Sequence, residues 1–326
     1  MRRRDFLGVV SGVSLAWPLA ARAENAKMPV VGLLTLANLP DWAMNAIRAG
    51  FDDAGFVEGR NLIMMVRSAE GQFDRLPALA ADLAKSEVKV ILATGSPVPA
   101  RTAKAATTTI PIVFAYGGDP VSDGLVASLN RPGANVTGAT FIGTALTSKK
   151  MGLLQEILPR VSDIALLVNP KGTLAEGQIN EAKAAAKVLG LNLSIVTAIS
   201  ESEFDAAVAT MSRLKVGAFL TSTDPLFGFS GQFLHVKKGL LQGIPAIGVG
   251  REDVAGGSLF SYGPNLSDTW RQAGVYIGRI LKGEKPSNLP IVQPTKFELV
   301  INLKTAKQLG IDISPILLAR ADEVIE

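Results

Sequence analysis

A chain of 326 residues, 48% hydrophobic and 19% charged, is long enough for two lobes of ordinary domain size rather than one core. It contains no cysteine, which excludes disulfides, thiol nucleophiles and thiolate metal sites. The formal charge of +4 falls to +1 without the first 23 residues, where four of the 33 basic and one of the 29 acidic residues lie; no basic face interleaved with aromatics follows, so nucleic acid is not expected as a partner.

Arg2, Arg3 and Arg4 precede an apolar run from Gly8 to Leu19, which is 12 residues long. A helix needs about 20 apolar residues to cross a bilayer, so this run is too short to span. Ala21-Arg22-Ala23 supplies the small-x-small pattern that a signal peptidase cuts. Residues 1–23 are therefore expected to be an export signal, with the mature chain beginning near Glu24. Arg3-Arg4-Asp5-Phe6-Leu7 looks like a twin-arginine signal, and an ordinary secretory signal is the other reading. Both predict a periplasmic protein; a signal left uncut would tether it instead.

From Val30 onward, apolar runs of strand length alternate with segments of helical period. Strands are predicted at Val30 to Leu34, Asn61 to Val66, Val88 to Ala93 and Ile112 to Ala115, with helices at Trp42 to Ala54, Leu76 to Lys85 and Ala100 to Thr107. A boundary is expected near Val136 to Thr144, where small residues are dense, with a new helix from about Ala145. The alternation then resumes. Strands are predicted at Ile164 to Val168, Leu191 to Val196, Ala218 to Thr221 and Ala246 to Val249, separated by helices at Ala175 to Leu189, Glu203 to Leu214 and Gly231 to Gln242. A second crossing is expected around Ser261 to Asn265, followed by a helix from Leu266 to Leu281, a proline-marked stretch from Lys285 to Pro294, a strand from Phe297 to Ile301 and a short helix from Leu303. This order predicts an α/β fold of two doubly wound parallel-sheet lobes. The expected division is residues 28–141 plus about 264–290 in an N-terminal lobe and 142–263 plus about 291–326 in a C-terminal lobe.

Four predicted strands end on a shared punctuation: Ser96-Pro97, Asp119-Pro120, Asn169-Pro170 and Asp224-Pro225. Ser, Asp and Asn accept from the free N–H groups at a helix start, and proline suits the first helical position because it has no donor to lose. Helices are therefore expected to begin at these points, on one edge of each sheet. Ligands of open α/β sheets sit beyond that edge, so two such edges facing each other would form a binding cleft. A plain helix cap is the structural alternative at each position.

Catalytic patterns are incomplete. The single histidine, His235, lies in a predicted helix and is expected at a partly exposed surface position. GFSGQ around Ser230 lacks the last glycine of a nucleophile elbow. No His/Glu pair sits at metal-ligand spacing, no phosphate loop occurs, and GVGRED at Gly248 lacks the third glycine of a dinucleotide loop. A binder with no catalytic residues, metal or cofactor is the reading left. Asp119 and Asp224 could do acid/base work, meet a ligand ammonium or only cap helices.

Three long segments carry a family resemblance: IPIVFAYGGDPVSDGLVASLNRPGANVTGAT (Ile110 to Thr140), GGSLFSYGPN (Gly256 to Asn265) and LPIVQPTKFELVINLKTAKQLGI (Leu289 to Ile311). They are similar to the ABC transporter substrate-binding proteins, the family that includes tryptophan and tyrosine transport binders. The resemblance implies a type I periplasmic binding fold, with two lobes joined by a three-crossing hinge. It further implies a monomer that closes over a small-molecule ligand and delivers it to an ABC permease in the inner membrane. It departs from the family at Ala134, where a second glycine is common, and in the phenylalanine-rich loop Phe227, Phe229, Phe233.

The pocket positions implied are Thr35, Leu36, Thr94, Gly95, Ser96, Tyr116 and Asp119 in the first lobe. In the second lobe they are Asn169, Ser222, Thr223 and Asp224, with Phe227 in the following loop and Tyr262 near the hinge. In these roles Ser96 and the N–H groups after it would receive a carboxylate, Asp224 or Asp119 an ammonium, and Tyr116, Phe227 or Tyr262 an aromatic or apolar body. The family precedent favours an aromatic amino acid or a related aromatic acid. Two other functions share this sequence logic: a periplasmic sensor subunit signalling to a membrane receptor, and a secreted enzyme using cleft carboxylates.

Overall fold

Branched apolar runs with no polar interruption make strands buried on both faces, and such strands need helices above and below them. In the computed structural model, which describes residues 27–141, 146–228 and 233–326, that rule generates two sheets. The expected export signal, the last part of the expected boundary (residues 142–144) and the loop residues Phe229 and Ser230 lie outside the described residues.

The first sheet is built from β1 (Val30–Thr35), β2 (Ile63–Ser68), β3 (Val90–Thr94), β4 (Ile112–Gly117) and β5 (Val136–Phe141), in the order β2-β1-β3-β4-β5 and parallel throughout. Helices α1 (Asp41–Asp53), α2 (Leu76–Lys85) and α3 (Pro97–Ala106) connect its strands. The second sheet has seven strands in the order β12-β11-β10-β9-β8-β6-β7. These are β6 (Asp163–Val168), β7 (Asn192–Thr197), β8 (Ala218–Thr221), β9 (Ala246–Gly248), β10 (Phe260–Pro264), β11 (Phe297–Asn302) and β12 (Glu323–Ile325). Its helices are α4 (Thr147–Ile157), α5 (Ala175–Leu189), α6 (Phe204–Arg213), α7 (Pro225–Gly228), α8 (Leu234–Leu241) and α9 (Arg251–Ala255), with α11 (Leu303–Gln308) and α12 (Pro315–Arg320) near the end. Helix α10 (Leu266–Leu281) follows β10 but packs on α1 and on β3, β4 and β5 of the first sheet. The chain then bridges Val292 to Ala139 before β11 enters the second sheet antiparallel to β10.

Each sheet has a point where the strand order reverses, between β1 and β3 in the first and between β6 and β8 in the second. The loops leaving those strands diverge and open a crevice at their carboxyl ends. Leu36 and Gly95-Ser96 sit at the first reversal, and Asn169 and Thr223-Asp224 at the second.

Three expectations are corrected. Val136 to Phe141, the first part of the expected boundary, is a buried edge strand of the first sheet: Gly138 lies under Phe114, where a Cβ would come 2.3 Å from the Phe114 carbonyl oxygen, so the small residues there serve close packing. Helices do not begin at Asp119 or Asn169; both side chains close turns instead, accepting from Val121 N at 2.9 Å and Lys171 N at 3.0 Å. His235 is buried, its ring edge-on to Phe204 at 5.4 Å and to Phe227 at 5.3 Å, because α8 turns that face onto α6 and α7. Among the described residues no helix is long and apolar enough to cross a membrane.

Candidate functional site

The carboxyl ends of the two sheets face each other across a cleft that encloses about 760 Å³, its open mouth included. The first lobe contributes Leu36, Gly95, Ser96 and Gly117 from strand ends, Phe73 and Phe141, and the indole of Trp42 at the start of α1. Trp270 of α10 stands edge-on to Trp42, with ring centroids 6.5 Å apart. The second lobe contributes Gly172-Thr173-Leu174 ahead of α5, Thr223-Asp224-Pro225 after β8, Phe233, and Val249, Glu252 and Asp253 around α9.

Asp224 is the polar centre of the second lobe's rim. Its Oδ1 accepts from Leu226 N at 2.9 Å and from Asn169 Nδ2 at 3.1 Å, so Asn169 ties the two strands of the reversal together. Its Oδ2 packs against Gly172, where a Cβ would come within 2.3 Å, and accepts no hydrogen bond from the described residues. Burial raises the Asp224 pKa above the ordinary carboxylate value, with the Leu226 and Asn169 hydrogen bonds acting against the rise.

Asp253 and Glu252 form a second acidic wall. Asp253 is 2% exposed, its Oδ2 accepting from Gly250 N at 3.2 Å while its Oδ1 is unpartnered. Burial pushes its pKa to about 6, opposed by that hydrogen bond and by the charge of Lys150. Lys150, buried in α4, is itself lowered to about 8 by burial, against the attraction of Asp253 and Glu181. Glu252 Oε1 accepts from Ser267 Oγ of α10 at 3.0 Å, a hydrogen bond that joins the second lobe to the helix packed on the first. These acids do not form a metal cage: among the described residues no group of three or more metal-ligating side chains is gathered.

The structure brings together Leu36, Gly95, Ser96, Thr223 and Asp224 on the cleft wall, with Asn169 directly behind Asp224. Thr35 donates its hydroxyl to the Ala37 carbonyl at 2.6 Å and so shapes the loop that presents Leu36. Thr94 and Ser222 are buried behind the rim, their hydroxyls unpartnered.

Four of the expected positions lie away from the wall. Tyr116 is in the first lobe's core, its hydroxyl donating to Asp123 at 2.6 Å, and burial raises its pKa. Asp119 caps an exposed turn, with Ser122 donating to it at 2.6 Å and lowering its pKa. Phe227 stacks on Phe204 at 5.9 Å inside the second lobe. Tyr262 stacks on Phe297 at 6.3 Å, beneath Lys149.

Ser96 caps α3 by accepting from Val98 N at 3.3 Å. Pro97 and Pro99 have no N–H, so the first turn of that helix offers a carboxylate fewer donors than the cap-and-proline pattern suggests.

Sequence reasoning missed the aromatic wall. Trp42, Trp270, Phe73, Phe141 and Phe233 occupy helix, strand-end and loop positions without a shared motif. The one available signal was scarcity, since the chain has three tryptophans and two of them face this cleft.

The family model described as "ABC transporter substrate binding protein" matches residues 39–325. A curated relative, the tyrosine-binding protein of Clostridioides difficile, is 24% identical over 290 residues, covering 88% of this chain and 83% of that one. A conserved domain protein from Vibrio cholerae is 27% identical with a TM-score of 0.81, covering 91% of this chain and all of the other. An ABC domain from Streptococcus pneumoniae, solved in complex with L-Trp, is 25% identical with a TM-score of 0.79 over 92% of this chain and 100% of that chain.

Proposed function

The chain belongs to the ABC transporter substrate-binding protein family, and from that premise we propose that it captures an aromatic amino acid outside the cytoplasm and hands it to an ABC permease in the inner membrane. The architecture is the type I periplasmic binding fold, and the family is one of solute binders rather than enzymes. One juxtaposition supports the ligand: a carboxylate oxygen that accepts no hydrogen bond from the described residues, Asp224 Oδ2, shares a cleft with the Trp42–Trp270 pair. An α-ammonium fits the first and an aromatic ring the second. Relatives named for tyrosine and solved with L-Trp support the same class.

The ligand bridges both lobes, so binding draws them together about the crossings. A thermal-shift screen over amino acids tests this reading, because a ligand that binds only the folded state raises its melting temperature according to affinity. Tryptophan, tyrosine or phenylalanine is expected to raise it, and Asp224→Ala to weaken binding by at least about tenfold in calorimetry. A screen in which no aromatic amino acid moves the transition would remove this class of ligand.

A further inference from the structure

We infer that two side-chain donors, the indole N–H of Trp42 in the first lobe and the hydroxyl of Thr223 in the second, read the ligand's carboxylate, and so set the cleft's preference for an amino acid over the corresponding amine. The inference rests on the proposed function, that the interlobe cleft takes an aromatic amino acid.

Four buried polar side-chain atoms on cleft-lining residues have no partner among the described residues: Glu252 Oε2, Asp253 Oδ1, Trp42 Nε1 and Thr223 Oγ1. The first two are carboxyl oxygens and suit the amine end of a ligand. The other two can donate. Buried polar groups are nearly always paired, so donors left open on a cleft wall point to a group that a guest supplies. An indole N–H donates only, so whatever meets Trp42 must accept, and a carboxylate is the acceptor every amino acid brings. Its charge makes each such bond roughly twice as strong as a neutral one, and its two oxygens can accept from both lobes at once.

Both donors are held in place by their surroundings. Gln178 of α5 clamps the Thr223 backbone, its Oε1 accepting from Thr223 N at 2.6 Å and its Nε2 donating to the Thr223 carbonyl at 3.1 Å, so the hydroxyl is the polar group this residue has left. Thr223 directly precedes Asp224, and an α-carboxylate shares its carbon with the ammonium; a donor and an acceptor on neighbouring residues match that pairing. Trp42 lies in the first turn of α1, edge-on to Trp270, and the packing of α1 on α10 fixes that turn. Ser96, where the cap-and-proline pattern puts the carboxylate, already accepts from Val98 N and is followed by Pro97 and Pro99, which have no N–H.

Calorimetric titration of the purified full chain with tryptophan and with tryptamine, which lacks only the carboxylate, tests the assignment in wild type, Trp42→Phe, Thr223→Val and Thr223→Ser. Trp42→Phe keeps an aromatic face and removes the N–H; Thr223→Val keeps the shape and removes the hydroxyl. Wild type is expected to bind tryptophan at least about a hundredfold more tightly than tryptamine. Trp42→Phe and Thr223→Val should each weaken tryptophan by at least about tenfold and leave tryptamine within about twofold, and Thr223→Ser should recover most of what Thr223→Val loses. Where tryptamine binds too weakly to measure, the loss of tryptophan in both variants and its recovery in Thr223→Ser carry the assignment. The threonine pair decides the matter should Trp42→Phe fail to fold. Equal binding of the two ligands by wild type, or equal loss of both in the variants, would overturn the inference and leave the aromatic site standing. Unchanged tryptophan binding in either variant would also overturn it, in favour of main-chain N–H groups at a helix start. So would a Trp42→Phe protein that loses tyrosine but not phenylalanine, since the donor would then lie at the ring's far end. Binding of no aromatic amino acid by wild type would remove the proposed function and the inference with it.

Discussion

Asp224 shows how a side chain can be fixed for a ligand by giving only one of its oxygens to the protein. Asn169 and the Leu226 N–H hold Oδ1, which orients the carboxyl, and Oδ2 is left for the cleft. Because burial has raised its pKa, the charge an ammonium requires is lost earlier on acidification than at an ordinary carboxylate of pKa 3.8. Ligand affinity should therefore begin to fall at a pH above that value, and Asp224→Asn should bind weakly at every pH. Calorimetry across a pH series checks both, and a wild-type profile flat down to the ordinary carboxylate range would contradict them.

His235 makes a separate prediction about stability. Burial lowers its pKa from 6.5 to about 4, and both ring nitrogens are unpartnered. Between those values the unfolded chain binds a proton that the folded chain refuses. His235 therefore contributes full stability above pH 6.5, lost as pH falls toward about 4, an effect of about 3 kcal/mol. Asp253 acts oppositely in an overlapping window: its folded value of about 6 lies above 3.8, so the folded chain holds the extra proton as pH falls. Comparing wild type with His235→Phe cancels the Asp253 contribution. The variant's melting temperature should fall less over this window, and identical profiles would contradict the assignment.

At the scale of elements, α1 and α10 cross with their backbones in direct contact. A Cβ on Gly50 would come 2.0 Å from the Arg271 carbonyl oxygen, and one on Gly274 would come 2.3 Å from that of Ile47. These glycines let two backbones touch, which brings the Trp42 and Trp270 rings to the same wall. Gly274→Ala should cost about 1–3 kcal/mol in urea denaturation, since the clash is with backbone that has no rotamer to yield. Gly177→Ala, in α5 with nothing within 4 Å, should be neutral or stabilising by about 0.5–1 kcal/mol. Equal effects from the two would contradict the packing account.

The strands were legible because Val90 to Thr94 or Ile112 to Gly117 are buried on both faces, a demand that local composition expresses directly. Strand β5 was not, since Gly138 answers to a ring from a neighbouring strand that the local sequence does not contain. The polar rim at Ser96, Thr223 and Asp224 was legible for a related reason: capping chemistry is local, and it marks strand ends. Tyr116 and Phe227 could not be placed by the same logic, because whether an aromatic faces a cleft or a core depends on which helix covers it.

For the whole molecule, the physical claim is that two lobes share one guest. Asp224 and the acids of α9 belong to one sheet, Ser96 and the Trp42–Trp270 pair to the other lobe, and Ser267–Glu252 already spans the gap. Two lobes were readable from the repeated alternation; α10, expected in the first lobe with residues 264–290, packs on α1 and on β3, β4 and β5. Export and delivery follow as proposals from the first 23 residues and the family, whereas closure can be measured on the purified chain. Small-angle scattering with and without the aromatic ligand that raises the melting temperature tests it most directly. The radius of gyration should fall on saturation in wild type and stay unchanged in Asp224→Asn at the same ligand concentration. An unchanged profile for wild type saturated with that ligand would contradict the account.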